Sequence, residues 1–248
     1  MTARLAQIWR HPVKGHGAEA LGAVTLEPGR PLPWDREWAV AHDAARTDGT
    51  DWAPCANFSR GAKAPELMAI MARLDEAAET VTLSHPARPD LTFSPDREAA
   101  AFLDWVAPLM PADRAAPVRI VRVPGRGMTD TDFPSVSILG LSSLRALSDA
   151  VGRPLDPRRF RGNFWVEGLA PWEEFDWIGR RLRLGAAEVE ICERIGRCMA
   201  TTVNPETGKR DTDTLGVLDS HWGHTDLGVY AKVVAGGRVA LDDRVELL

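Results

Sequence analysis

The last third of the chain is a series of short apolar stretches separated by glycine turns, and this rhythm limits the fold more than any other feature. Residues 181–184 and 188–191 alternate apolar and polar side chains around Gly185-Ala186-Ala187, which reads as a hairpin. Residues 227–234 and 238–241 repeat the arrangement around Gly236-Gly237, and residues 244–247 continue it. Strands joined by tight turns pair antiparallel, whereas a doubly wound parallel sheet needs crossover helices. The region is therefore expected to form a barrel.

The rest of the chain fits a β-rich α+β protein with a few short helices. Residues 3–40 read as β, interrupted by a loop at 11–17 that sets Lys14 beside Gly15. Asp35-Arg36 precedes the apolar run 38–41. Residues 41–62 are irregular, with Cys55 after Pro54 expected to be structural. Pro65 suits the first position of a helix that puts Leu67, Met68, Met71 and Leu74 on one face. Residues 81–83 and 91–93 read as two strands, and Ser94-Pro95-Asp96 as the start of a helix carrying Phe102, Leu103, Val106 and Leu109. The Pro/Ala-rich stretch 111–117 is the best internal boundary, giving domains at 1–112 and 113–248. Beyond it lie a strand at 118–123, a polar loop at 130–135 and an apolar strand at 136–139. A helix with Leu141, Leu144, Leu147 and Val151 follows, closed by Gly152. The glycines at 125 and 127 do not make a dinucleotide fingerprint, because Asp130 stands at the third position and no helix opens there.

Bulk properties exclude several classes. A net charge of −5 gives no pull toward nucleic acid or an anionic membrane. No apolar run is long enough to span a bilayer, and the N-terminus lacks the apolar core of a signal peptide. The three cysteines, Cys55, Cys192 and Cys198, have no framework spacing. A reducing, cytoplasmic setting is expected.

Two stretches carry chemistry. Residues 191–208 hold Cys198 beside Arg197, followed by Thr201-Thr202-Val203, which reads as a strand. A thiol next to a fixed positive charge can be a nucleophile or a soft metal ligand, and it can equally be an inert packing group. Residues 155–168 hold Arg158, Arg159 and Arg161, then Gly162-Asn163 at the mouth of an apolar strand. Arginine forks suit phosphate or carboxylate, and glycine permits close backbone approach. His221 and His224 lack the partnered acids of a metal motif.

Three pieces together resemble the MOSC domain. They are residues 159–168 (Arg159-Phe160-Arg161-Gly162-Asn163-Phe164-Trp165-Val166-Glu167-Gly168), residues 196–208 around Cys198, and Gly228-Val229-Tyr230-Ala231. The N-terminal third resembles the β-barrel that often precedes this domain, through His11-Pro12-Val13-Lys14 and Asp35-Arg36. The resemblance implies a MOSC-type β-barrel packed with an N-terminal β-barrel-like domain. It implies binding of the molybdenum cofactor, molybdopterin, and at family level pyridoxal phosphate binding. In the family's amidoxime-reducing members the activity is reduction of N-hydroxylated compounds, which implies a small N-hydroxylated substrate and a separate electron-donor protein. By position, Cys198 is the implied metal ligand and catalytic residue. Lys14, Arg36, Arg161 and Asn163 are implied to hold the pterin and its phosphate, with Gly15, Gly196, Arg197 and Asp132 lining the site. The chain departs from the family pattern at Gly15, Gly162 and Gly196, where the family often has Ser, Pro, and Ser or Thr.

Two other readings remain open at this point. In one, Cys198 carries a persulfide and passes its sulfur on, with no stable metal. In the other, the chain is a non-enzymatic binding module with a structural cysteine.

Overall fold

A computed structural model describes residues 3–248. The N-terminal strands are β1 (Arg4–Arg10), β2 (Val13–Lys14), β3 (Glu19–Leu21), β4 (Ala23–Leu26) and β5 (Trp38–His42). Then come β6 (Met71–Asp75), β7 (Thr80–His85), β8 (Arg88–Phe93), α1 (Ala99–Val106) and β9 (Pro117–Arg122). The remainder comprises β10 (Val136–Gly140), α2 (Leu141–Val151), β11 (Phe164–Glu167), β12 (Arg181–Leu184), β13 (Ala187–Gly196), α3 (Thr214–Trp222), β14 (Asp226–Ala235), β15 (Gly237–Ala240) and β16 (Val245–Leu247).

The run around Gly185 forms the expected hairpin, whereas the turn at Gly236-Gly237 carries β15 away from β14 to pair β4. β12 pairs β13 antiparallel, β13 pairs β14, and the whole sheet runs in the order β16-β12-β13-β14-β10-β11-β1-β3. One neighbouring pair, β10 and β11, is parallel, and α2 supplies the crossover that parallel strands require. The sheet curls back on itself. Leu5 N donates to Asp243 O (2.9 Å), Asp242 N to Leu5 O (2.8 Å) and Val245 N to Ala3 O (3.0 Å), which joins β1 to the segment that enters β16. Inside lie Ile8, Ile138, Phe164, Val189, Ile191 and Val229, each at most 1% exposed. Such burial stabilises by about 1.5–3 kcal/mol per large side chain and favours the curled sheet over a flat one.

The two halves interlace. β1 and β3 sit in the large sheet, and β4 pairs β15. In return β9, which follows residue 112, pairs β5 in the sheet β2-β5-β9. β5 is buried along Trp38–Ala41, so its continuous apolar run is that of a strand covered on both faces. The hairpin sheet β6-β7-β8 and α1 pack beside it around Leu67, Val81, Leu83, Phe93 and Phe102. No helix among the described residues is long and apolar enough to cross a membrane.

Three local expectations are corrected. The helix after Pro65 is a 3-10 turn over Pro65–Ala69, and Met71 and Leu74 lie in β6, paired with Ser84 and Val81. Alternation explains this: Ala72 and Leu74 point in, Arg73 and Asp75 out, and edge pairing overrides the helical spacing. The helix announced by Ser94 starts a turn late, at Ala99. Ser94 N donates instead to Glu98 Oε2 (2.7 Å), making a local turn. Thr201-Thr202 ends a 3-10 turn (Met199–Thr202) rather than opening a strand. The helix over 141–151 forms as expected, with Gly152 in the left-handed region (φ 84°) as its terminator.

Candidate functional site

Lys14, Arg36, Arg161 and Cys198, which are far apart in sequence, line one cavity of about 370 Å³ where the N-terminal strands meet the barrel. Seven lysine and arginine side chains face it against two carboxylates, Asp130 and Glu193, a balance suited to an anionic ligand.

The cationic wall is built on unusual backbone. Arg36 (φ 54°) and Arg161 (φ 48°) both occupy the left-handed region, which costs a non-glycine residue about 1–3 kcal/mol. Gly15 (φ 79°) is left-handed too, and a Cβ there would meet Ser59 O at 2.5 Å. Local sequence explains Arg161: Asp156 accepts from Arg158 N (2.8 Å) to start the 3-10 turn Pro157–Phe160, and Arg161 terminates it. Arg36 is fixed by Asp35, which is 1% exposed, accepts from Arg36 Nη1, and accepts from His11 N (2.7 Å).

Hydrogen bonds saturate part of this wall. Lys14 Nζ donates to Met128 O (2.7 Å), to Thr129 O (3.3 Å) and to Asp130 Oδ1. Burial pushes the Lys14 ammonium down and Asp130 opposes it. Burial alone would raise Asp130, but Lys14 and Arg36 outweigh it and hold the carboxyl well below the usual range. Arg36 Nη2 donates to Arg161 O (3.1 Å), and Arg161 Nη1 to Gly17 O (3.0 Å). Burial and then the neighbouring Arg36 charge push Arg161 down to about 10. Arg161 Nη2 is buried with no partner. Two crowded guanidinium groups with a free donor are stabilised by an anion between them.

The other wall is the end of β13. Its pairing with β14 is irregular between Ile191 and Glu193 and again between Arg194 and Gly196. Such bulges re-aim side chains at functional rims, and Glu193, Arg194, Gly196 and Cys198 all line the cavity and are exposed. Arg197 turns inward. Its Nε donates to Leu227 O (2.8 Å) and its Nη1 to Phe160 O (2.9 Å), so it braces the wall as well as lining it. Burial pushes it down to about 10. Gly196 is unstrained, with open space at the Cβ position except for Asp226 Oδ1 at 3.7 Å.

The remaining expected residues fall elsewhere. Asn163 lies behind the wall, 1% exposed. Its Oδ1 accepts from Ser137 N and Oγ (3.0 Å each) and its Nδ2 donates to Trp9 O (3.2 Å), so it ties β10, β11 and β1 together. Asp132 is exposed outside the cavity, and Asp130 takes the place expected of it. Gly162 lets the turn press against Leu139. Cys192 stays off the cavity, with burial pushing its thiol up. Cys55, expected to be structural, lines the cavity and accepts from Arg60 Nη1 at 2.7 Å. Asp130, Glu193 and Arg60 went unread because no local pattern marks them. Tyr230 lay inside a quoted motif without an assigned role. Among the described residues no three His, Cys, Asp or Glu side chains gather to hold a metal, so the His221/His224 pair has no completing ligand.

The residues present fit a phosphorylated, thiolate-ligated cofactor. Arg161 Nη2 is an orphaned donor, Gly15 lets the Lys14 loop close against the Ser59 carbonyl, and Cys198 is an exposed free thiol on the same cavity. A barrel with a cationic cavity and a thiol at its rim is chemically suited to an anionic cofactor. The chain belongs to the MOSC family, associated with the molybdenum cofactor: residues 129–246 match the MOSC domain and residues 2–109 the MOSC N-terminal beta barrel domain. It is 33% identical over 88 residues to mitochondrial amidoxime-reducing component 1 of Xenopus laevis, a match covering 34% of this chain and 25% of that protein. Similar solved structures include the YuaD protein of Bacillus subtilis (12% identity, TM-score 0.46, 100% of this chain and 96% of that one). YiiM of Escherichia coli is another (20% identity, TM-score 0.34, 46% and 53%).

Proposed function

We propose that the protein is a molybdenum-cofactor-binding oxidoreductase that reduces N-hydroxylated or N-oxide compounds, with electrons from a separate protein. The observation that carries this reading is the shared cavity: the orphaned Arg161 donor and the Cys198 thiol line one space. Lys14, Arg36 and Arg161 would bind the phosphate and pterin, and Cys198 Sγ would ligate the metal. Asp35 and Asp130 orient the cations, and Arg197 and Asn163 hold the walls. When bound, the cofactor supplies two-electron redox chemistry. Lys14 acts as a fixed charge, because three acceptors already engage its ammonium. A division at 112/113 and a reducing, cytoplasmic setting belong to the same reading, the latter supported by three free cysteines.

A second reading is favoured by one observation: Cys55 and Cys198 are two free thiols on the same cavity. In it Cys198 carries a persulfide sulfur to an acceptor. Protein from a host that makes the cofactor decides between them. Near-stoichiometric molybdenum and pterin, lost in Cys198→Ser while the fold persists, is the expected result. Metal-free protein with cyanide-labile sulfur on Cys198 would replace the first reading by the second.

A further inference from the structure

Three hydroxyl side chains line the cavity: Ser137, Thr201 and Tyr230. Two are spent inside the protein. Ser137 Oγ donates to Asn163 Oδ1 and accepts from Asn163 N (2.9 Å). Thr201 Oγ1 donates to Cys198 O (3.0 Å) and pairs with Thr214 Oγ1 (2.6 Å). Tyr230 is different. Among the described residues no hydrogen bond from a protein group reaches its hydroxyl, although charged Asp130, Arg197, Arg36 and Glu193 stand around it.

Register explains why Tyr230 faces this space. In the sheet Tyr230 of β14 stands opposite Ser137 of β10 on one side and Glu193 of β13 on the other. Directly opposed residues share a face, so the three form a row across three strands along one side of the cavity. Glu193 ends that row at the exposed rim, where water reaches it. The irregular step between Ile191 and Glu193 brings it opposite Tyr230. Apart from the thiols of Cys55 and Cys198, the other cavity donors are guanidinium groups and a lysine held by two carbonyls and Asp130, and a guanidinium does not give up its proton. Burial, then Asp130, keeps the phenol in its neutral, donating form.

We propose that Tyr230 is the proton donor to the oxygen leaving an N-hydroxylated substrate, with Glu193 resupplying the proton from solvent. The inference rests on the reductase reading above. Cleaving R–NH–OH to R–NH2 and water consumes two electrons and two protons. The separate donor protein supplies the electrons. One proton passes from the Tyr230 hydroxyl to the departing oxygen as the N–O bond breaks. The phenol is restored from the Glu193 carboxyl, which takes its proton from water, and the second proton also comes from solvent.

The test uses cofactor-loaded protein, a reduced viologen as electron source and benzamidoxime as probe. Tyr230→Phe should keep wild-type molybdenum and KM within about twofold, while kcat falls about 100-fold, the scale of a lost general acid. Glu193→Gln should lose less, about 10-fold, and small diffusible acids such as formic acid should restore part of it. Because Tyr230 is the only tyrosine in the chain, a tyrosine ultraviolet difference band on adding benzamidoxime to oxidised loaded protein reports the contact without turnover. Tyr230→Phe with full metal and unchanged kcat overturns the donor role and leaves the reductase reading standing. Tyr230→Phe that loses molybdenum assigns the residue to holding the cofactor and overturns it too. Wild-type protein that carries molybdenum yet reduces no N-hydroxylated compound overturns both.

Discussion

The two walls of the cavity are built on opposite principles. The wall of Lys14, Arg36 and Arg161 is buried, backbone-strained and laced with carboxylates. The rim of Glu193, Arg194, Gly196 and Cys198 is exposed and unstrained. A binding platform must hold several like charges together before its ligand arrives, and that takes burial, ion pairs and rigid turns. A reacting edge must admit substrate and exchange protons with water. The division places stability in the first wall and chemistry in the second, so substitutions on the two should have different consequences.

The largest expected effect falls on Asp35. It is buried between Arg36 and His11 and accepts hydrogen bonds from both. Asp35→Ala leaves Arg36 buried beside Arg161 with its closest counter-charge gone, and breaking a buried pair costs about 3–5 kcal/mol. At the rim, Glu193→Ala should change stability by no more than about 0.5 kcal/mol, as ordinary surface substitutions do. Chemical denaturation of the two variants measures the contrast. Equal losses would show that the walls are not differently built.

Acid should dismantle the buried wall next. His11 and His16 bracket Lys14, and burial pushes them down, to about 3 and about 4. His16 spends Nδ1 on Lys14 O (2.8 Å) and leaves Nε2 buried without a partner. Each imidazole binds its proton more weakly folded than unfolded, so their contribution is complete above about pH 6.5. It falls as pH drops toward about 4, where His16 charges, and then toward about 3 for His11. Two protons give a slope of about 2.7 kcal/mol per pH unit at its steepest, near pH 5. Asp35 and Asp130, held low, contribute stability above their unfolded values near 4 and lose it only in stronger acid. Denaturation midpoints from pH 7 to 4.5 read the slope, and His16→Phe should roughly halve it. A flat profile in the wild type would mean the imidazoles are not held neutral.

The legible parts of the molecule are those set by local pattern. The hairpin of β12 and β13 follows from alternation around a glycine turn, and α2 from its apolar stripe and Gly152. The stretch after Pro65 misleads because Leu67 and Leu74 are both buried, one through a turn and one through a strand, so a helical spacing is satisfied without a helix. Arg36, Arg161 and Cys198 were gathered by the family resemblance and not by any spacing of their own. The row Ser137, Tyr230, Glu193 is set by strand register and a bulge, and Cys55 reaches the cavity through an irregular loop. Neither leaves a mark on neighbouring residues. Asn163 stands at the strand mouth where the sequence puts it, but its amide serves the strands and not the cavity.

The smallest effects come from one substitution made on each wall. The family often carries hydroxyl residues where this chain has Gly15 and Gly196. At Gly15 a side chain meets a left-handed backbone and the Ser59 carbonyl at 2.5 Å, so Gly15→Ser should cost about 2 kcal/mol. At Gly196 the backbone is ordinary and the space is open, with only Asp226 Oδ1 within 4 Å. Gly196→Ser should therefore shift stability by no more than about 0.5 kcal/mol, and it adds a hydroxyl to the cavity two residues from Cys198. If the rim tolerates change as its structure implies, Gly196→Ser keeps or raises pterin content while Gly15→Ser lowers it. A Gly196→Ser variant as unstable as Gly15→Ser would mean that the rim is as tightly determined as the wall behind it, and the division of labour between them would fall.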